Sequence, residues 1–111
     1  MTRDPRVYVE HVAAAIALIE RWTSSGRESF LRDELLQSAV IRKLHELAES
    51  IQRLEPLVSA RYPDVPWRDV VAFRHVIVHD YLGLNVDRIW LIVSQHVPAL
   101  KPQIERMLNE L

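Results

Sequence analysis

Apolar residues recur at helical spacing along the first half of the chain. Asp4 followed by Pro5 combines a cap residue with a first-turn proline, which predicts that a helix begins there and ends near Gly26. Its apolar positions are Tyr8, Val12, Ala15, Ile16, Ile19 and Trp22. A second stripe predicts a helix of about 25 residues that begins between positions 29 and 33. Its apolar positions are Leu36, Val40, Leu44, Leu47, Ile51 and Leu54.

The second half of the chain is divided by prolines and by potential caps. A third long helix is predicted from about Trp67 to His79, because Val70, Phe73 and Ile77 share one face. Between the second and third helices we expect only a short helical turn or two. A fourth helix and a C-terminal helix or continuation should follow. The predicted breaks and caps are Pro56, Pro63, Pro66, Gly83, Asn85 and Pro98.

Composition favours one all-helical domain. The 111 residues include 49% apolar residues and only two glycines, which suits long helices better than many short strands. We therefore expect a single domain over residues 1–111, an all-α antiparallel bundle of four or five helices. No uncharged apolar run is long enough to span a bilayer, and the early charges argue against a signal peptide. The absence of cysteine is compatible with the cytoplasmic location that we expect.

The charge balance excludes a general nucleic-acid coat protein. The formal net charge is −1, whereas such proteins usually carry a large positive excess. A local cluster of basic groups could still contact a few phosphates, and catalysis on a phosphodiester needs no more than that.

The residues from Arg74 to Tyr81 carry the chemistry. Arg74, His75, His79, Asp80 and Tyr81 lie within eight positions, interleaved with apolar residues. An imidazole can give and take protons near neutrality, and a guanidinium presents a planar set of donors to phosphate oxygens. Together they meet the needs of RNA cleavage by its own 2′-hydroxyl, which requires proton transfer and charge neutralisation but no metal.

Helical geometry constrains how Arg74 and His79 could act together. Five residues separate them by about 140° around an ideal helix, so they cannot point at one spot unless the helix end unwinds. Two copies of the helix meeting around a two-fold axis offer another solution, in which each copy presents an Arg and a His to one shared cleft. The spacing makes such a composite site attractive.

Other interpretations of these residues stay open. His75 and His79 are four apart, as in some zinc sites, but no glutamate stands between them in the zinc-protease pattern and a third ligand is not evident. Either histidine could instead be a structural residue satisfied by hydrogen bonds. His45 and Glu49 form another pair four apart on the long helix, which we expect to be solvated and structural.

The segment from Pro66 to Leu100 resembles HepT-like proteins of the HEPN superfamily. The family signature is Arg, a polar residue, three mostly apolar residues, His, any residue and Tyr, which is matched by residues 74–81. The flanking stretches at 65–70, 84–90 and 97–100 also look like the family. Ala48, Glu49 and Ser50 are similar to its Gly-Glu-Ala patch, with changes on both sides of the glutamate.

The resemblance implies a HEPN helical bundle that forms a homodimer and acts as an endoribonuclease toxin without a cofactor or metal. Its RNA substrate would be cut with Arg74 and His79 as the catalytic pair, supported by His75 and Asp80. Its further partner would be a minimal nucleotidyltransferase antitoxin, which in this family can attach AMP to the tyrosine matched by Tyr81. The alternative is a non-catalytic HEPN subunit that binds nucleotide or holds a nucleotidyltransferase. A third possibility is a helical scaffold in which the motif only packs a dimer.

Overall fold

The fold is described from a computed structural model, which covers the backbone of residues 4–80 and 85–111 and their side chains except at 78–80. Within these residues the chain is helical and contains no strand, as the sequence predicts. The helices are α1 (Pro5–Trp22), α2 (Arg27–Arg32), α3 (Glu34–Val58), α4 (Trp67–Asp80), α5 (Val86–Leu91) and α6 (Val97–Glu110), with a π-helical segment, Ile92–His96, between the last two.

The long helices pack in antiparallel pairs. Helix α3 lies against both α1 and α4, and α6 packs against α1. Arg6 near the start of α1 donates to the carbonyl oxygens of Leu108 and Leu111 at 2.7 and 2.8 Å. At the opposite end, Lys101 pairs with Glu20 at 3.0 Å, so α1 and α6 run in opposite directions.

The core follows the predicted apolar stripes. The buried positions of α3 include Leu44, Leu47, Ile51 and Leu54, each with at most 1% of its surface exposed. Helix α4 contributes Val70, Phe73 and Ile77, as expected from their spacing. Burial of these side chains in one core supplies most of the favourable free energy of folding.

Helix α3 begins directly after the predicted range of positions 29–33, and a separate short helix precedes it. Asp33 has extended backbone angles, and its side chain accepts a hydrogen bond from the Leu36 amide at 3.0 Å. The preceding residues 27–32 form α2, which the sequence analysis did not predict. The buried Gln37 amide donates to the carbonyl oxygen of Phe30 at 2.9 Å and so ties α2 to α3. Gly26 has the expected positive φ of 93°, but it precedes α2 instead of ending α1.

The expected break at Pro56 is wrong. Helix α3 continues through Pro56 to Val58, and the breaks fall only in the following segment that contains Pro63 and Pro66. A proline near the end of a helix removes one backbone hydrogen bond, and the buried Leu54 and Val58 hold this last turn against the core. Asn85 caps α5 as predicted, because its side chain accepts from the Arg88 amide at 3.3 Å.

Removal of the Asp33 cap should destabilise the protein without unfolding it. Asp33→Ala leaves an amide of the first turn of α3 without its acceptor, and we expect the free energy of unfolding to fall by about 1 kcal/mol. Urea denaturation followed by circular dichroism measures this change. Asp33→Asn, which keeps a capping oxygen, should stay close to the parent, and an equal loss in both variants would contradict the capping role.

Candidate active site

Arg74 is held by two acceptors on the neighbouring helix. Its Nη2 lies 3.0 Å from Oε1 of Glu49, and its Nη1 donates to Oε1 of Gln52 at 3.2 Å. Glu49 and Gln52 are three residues apart on α3 and therefore share one face of that helix. The Arg74 side chain is 41% exposed, so it is anchored to α3 and still accessible to solvent.

Glu49 also connects Arg74 to a histidine. Nε2 of His45 lies 3.6 Å from the same Glu49 oxygen, one helical turn earlier on α3. The expected pairing of His45 with Glu49 is confirmed and both side chains are partly exposed, but the pair is part of a larger polar cluster that includes Arg74. Nε of Arg74 is shielded from solvent and has no hydrogen-bond partner among the described residues.

Helix α4 has a second, exposed face on the side away from Glu49. Arg68, Ala72 and His75 are exposed along it. The backbone stays α-helical through Asp80, so position 79, four residues after His75 and seven after Ala72, falls on this face by its spacing. Positions 74 and 79 therefore lie on different sides of one α4, as the angle of about 140° requires.

Several of the predicted site residues lie outside the described part of the chain. Tyr81 is one of the positions 81–84 that the structure does not describe, and the side chains of His79 and Asp80 are likewise outside it. His75 is described and is exposed on α4.

A cavity of about 330 Å³ borders the exposed face of α4. It is lined by Ala72 and Val76 from α4 and by Arg88 and His96 from the chain that follows. The His96 ring packs on Phe73 with 5.0 Å between ring centroids, so the π-helical segment places an imidazole beside α4. This cavity gives the face both a basic group and an apolar floor.

Neither a metal cluster nor a membrane span emerges from the described residues. No group of three or more His, Asp or Glu side chains in that part of the chain is arranged to hold a metal ion. None of its helices is both long enough and apolar enough to cross a membrane. The side chain of His79, the other residue of the possible zinc pair with His75, lies outside the described part of the chain.

The partners of Arg74 were only partly visible in the sequence. Glu49 was noticed through its resemblance to a family patch, and its contact with Arg74 now gives it a physical role. Gln52 was missed, since nothing in the order of residues indicates which polar group on α3 faces Arg74. The helical spacing is the available signal, because Gln52 lies three residues after Glu49 and therefore on the same face of α3.

Comparison with known proteins identifies the family. The family described as "Ribonuclease HepT-like" matches residues 12–107. The chain belongs to this family. The matched region of this HepT-like chain contains all of α3 and α4, and hence Glu49, Gln52 and Arg74. The resemblance seen in the motif at residues 74–81 is thereby confirmed.

Individual relatives agree with the family match. The chain is 34% identical over 108 residues to "Probable ribonuclease HepT" of Thermococcus cleftensis, an alignment covering 96% of this chain and 98% of that protein. It is 29% identical over 109 residues to "Putative RNase TTE0752" of Caldanaerobacter subterraneus subsp. tengcongensis, with 97% of each protein covered.

A third relative is longer. The chain is 30% identical over 112 residues to "Gamma-glutamylcyclotransferase and putative RNase MJ0434" of Methanocaldococcus jannaschii. The alignment covers 100% of this chain and spans only half of that protein (50%). No solved structure matches the chain.

Proposed function

We propose that this HepT-like chain is an endoribonuclease that cleaves RNA without a metal, and that residues 1–111 fold as one domain. The observation that carries the proposal is the partly exposed Arg74 side chain, whose guanidinium is held by Glu49 and Gln52. A guanidinium held in this way can neutralise a phosphodiester with little further loss of side-chain entropy on binding. Membership of a ribonuclease family supplies the class of substrate.

The proposed reaction is attack by the ribose 2′-hydroxyl on the adjacent phosphorus. The 2′-oxygen loses its proton and bonds to phosphorus, the bond to the 5′-oxygen breaks, and that oxygen takes up a proton. The products are a 2′,3′-cyclic phosphate and a 5′-hydroxyl. His79 is assigned the proton transfers, and Arg74 the charge that builds on the non-bridging oxygens. His75 and Asp80 are assigned supporting contacts with the substrate.

The site is proposed to be shared between two copies of the chain. Helix α4 remains α-helical through Asp80, which disfavours the alternative in which its end unwinds to bring Arg74 and His79 together in one chain. The face that contains position 79 also carries the exposed Ala72 and His75 and is not covered by another described helix. A two-fold axis at this face would bring Arg74 of one subunit towards His79 of the other.

The nature of the products tests the proposed reaction. The purified chain, assayed with excess EDTA, should cut a defined RNA and leave 2′,3′-cyclic phosphate ends that are detected by mass spectrometry. The same sequence made as DNA should remain intact, because it has no 2′-hydroxyl to attack. Cleavage of both polymers, or strict dependence on a divalent metal, would overturn the mechanism.

Glu49 is proposed to position Arg74. Glu49→Ala removes one of the two anchors of the guanidinium, and we expect kcat to fall about tenfold with little change in KM. Glu49→Gln retains an acceptor oxygen and should recover part of the loss. Glu105→Ala removes an exposed carboxylate from α6 and serves as the matched control. Equal kcat in the parent and Glu49→Ala would refute this role.

The biological context is proposed to be a toxin–antitoxin pair. The antitoxin would be a minimal nucleotidyltransferase that transfers AMP to the Tyr81 hydroxyl with release of pyrophosphate from ATP. The added phosphate would compete with RNA for Arg74, and the nucleoside would fill the cleft. Co-expression with a cognate minimal nucleotidyltransferase should add the mass of one adenylyl group to the parent and none to Tyr81→Phe. An unmodified parent chain would contradict the modification.

A further inference from the structure

A second cavity lies between α1 and α3, on the other side of Glu49 from Arg74. Its volume is about 450 Å³, within the range of small-ligand sites. Ala14 and Leu18 of α1 give it an apolar wall, and α3 contributes polar side chains. The cavity is open to solvent and large enough for a planar ring system such as a nucleobase.

The cavity is continuous with the cluster that holds Arg74. Glu49 and His45 both line it, and Glu49 is the residue that pairs with the Arg74 guanidinium. A phosphate bound at Arg74 would therefore have the cavity as its neighbour, separated from it by the width of one side chain. Along a nucleic-acid strand, a base lies at a similar short distance from each phosphate.

The polar wall of the cavity carries two carboxylates together with Lys43, His11, His45 and Ser50. It contains the carboxylates of Glu46 and Glu49. Lys43 donates to Oε2 of Glu46 at 2.9 Å, and this hydrogen bond lowers the pKa of the Glu46 carboxyl, so the group is ionised at neutral pH. Ionised carboxylates only accept hydrogen bonds.

Acceptors of this kind discriminate between bases. The Watson–Crick edge of guanine presents adjacent donors, an N1–H and the N2 amino group. The oxygens of Glu46 already lie 2.9 Å from Lys43 and 3.3 Å from Arg42, and their remaining lone pairs can accept from these two donors. Uracil presents one N–H between two carbonyl oxygens, which a carboxylate repels. The aliphatic wall formed by Ala14 and Leu18 can contact the face of either base.

We propose that the cavity between α1 and α3 binds one nucleobase of the RNA strand next to the phosphate at Arg74, and that it prefers guanine to uracil. The inference rests on the proposed function insofar as RNA is the ligand. In this proposal, α1 and the Lys43–Glu46 pair determine the sequence preference of cleavage. The motif on α4 supplies the catalytic groups but no contact that distinguishes one base from another.

Binding of an uncleavable RNA tests the cavity separately from catalysis. The probes are two fluorescein-labelled, fully 2′-O-methylated hexamers, one of uridine only and one with a single central guanosine. Fluorescence anisotropy should show about tenfold tighter binding of the guanosine probe to the parent chain, since a bidentate base contact discriminates by roughly 1–3 kcal/mol. Ala14→Phe, which fills the cavity from an exposed position, should abolish this preference.

Two further variants make the result specific. Ala17→Phe places the same ring at an exposed position of α1 that lines the groove towards α6, and it should keep the preference. Glu46→Gln changes the cavity without adding bulk, and it should reduce the preference even if Ala14→Phe fails to fold. Equal affinity of the parent for both probes, or an unchanged preference in Glu46→Gln, would overturn the proposal.

The same probes separate this inference from the proposed function. If the parent prefers the guanosine probe and loses that preference in the cavity variants, the base site is supported. If the unmodified guanosine hexamer is then not cleaved, the ribonuclease mechanism fails while the base site remains. If it is cleaved without any base preference in binding, the base site is wrong while the mechanism remains.

Discussion

Arg74→Lys is expected to cleave RNA at least about a hundredfold more slowly than the parent chain, because a preorganised transition-state donor contributes a factor of that size. Lysine keeps the positive charge but offers one compact ammonium group. That group cannot contact both Glu49 and Gln52 and still face a phosphate as the planar guanidinium does. The ratio kcat/KM on a defined RNA measures the loss.

A matched substitution distinguishes this effect from a general loss of charge. Arg53 is exposed on α3, one position after Gln52. Arg53→Lys should change cleavage by less than about twofold, since surface substitutions away from such contacts have small effects. Both variants should keep the helical circular dichroism of the parent. Cleavage by Arg74→Lys within threefold of the parent would show that the geometry of the guanidinium does not matter.

His79→Ala is expected to lower kcat by about 10²–10⁴-fold, the usual contribution of a positioned general acid or base. The residue is assigned proton transfer at the 2′-oxygen or the 5′-oxygen, and alanine cannot replace that chemistry. Single-turnover cleavage with enzyme in excess measures the chemical step and keeps product release out of the comparison.

His75 provides the comparison for His79. It lies one turn earlier on α4 and is assigned only a supporting contact, so His75→Ala should lower kcat by no more than about tenfold, less than a proton-transfer residue contributes. The two variants remove the same group from nearby positions of one helix. An equal or larger loss in His75→Ala would mean that the catalytic histidine has been assigned to the wrong position.

Local signals in the sequence were sufficient for most of the helices. Asp4 with Pro5 and Asp33 each mark a helix start, because a capping oxygen satisfies amides that the first turn leaves without partners. The buried stripe of α3 follows from its 3.6-residue period. These features depend on residues close in the chain, so a sequence is enough to predict them.

Features that depend on tertiary packing were harder to predict. The split between α2 and α3 is held by the Gln37 amide, whose partners become evident only after the two helices pack. Pro56 stays within α3 because Leu54 and Val58 bury the last turn. Local propensity alone would end the helix there, and packing overrides it.

The candidate site shows the same division. Arg74, His79 and Tyr81 stand out as a motif within eight residues, and their chemistry was inferred from the sequence. The contact between Arg74 and Gln52 joins positions 22 residues apart, and it depends on how α3 and α4 are aligned against each other. No periodicity within either helix determines that alignment.

The central claim is that Arg74 of one subunit acts with His79 of another, and mixing two inactive variants tests it most directly. Arg74→Ala and His79→Ala are each expected to be inactive. After joint unfolding and refolding, about half of the dimers should contain one copy of each variant. In a two-fold arrangement, each mixed dimer has one intact Arg–His pair where the parent dimer has two. The mixture should therefore recover about a quarter of the parental activity. A mixture that native mass spectrometry shows to contain mixed dimers but that stays at background would contradict the claim.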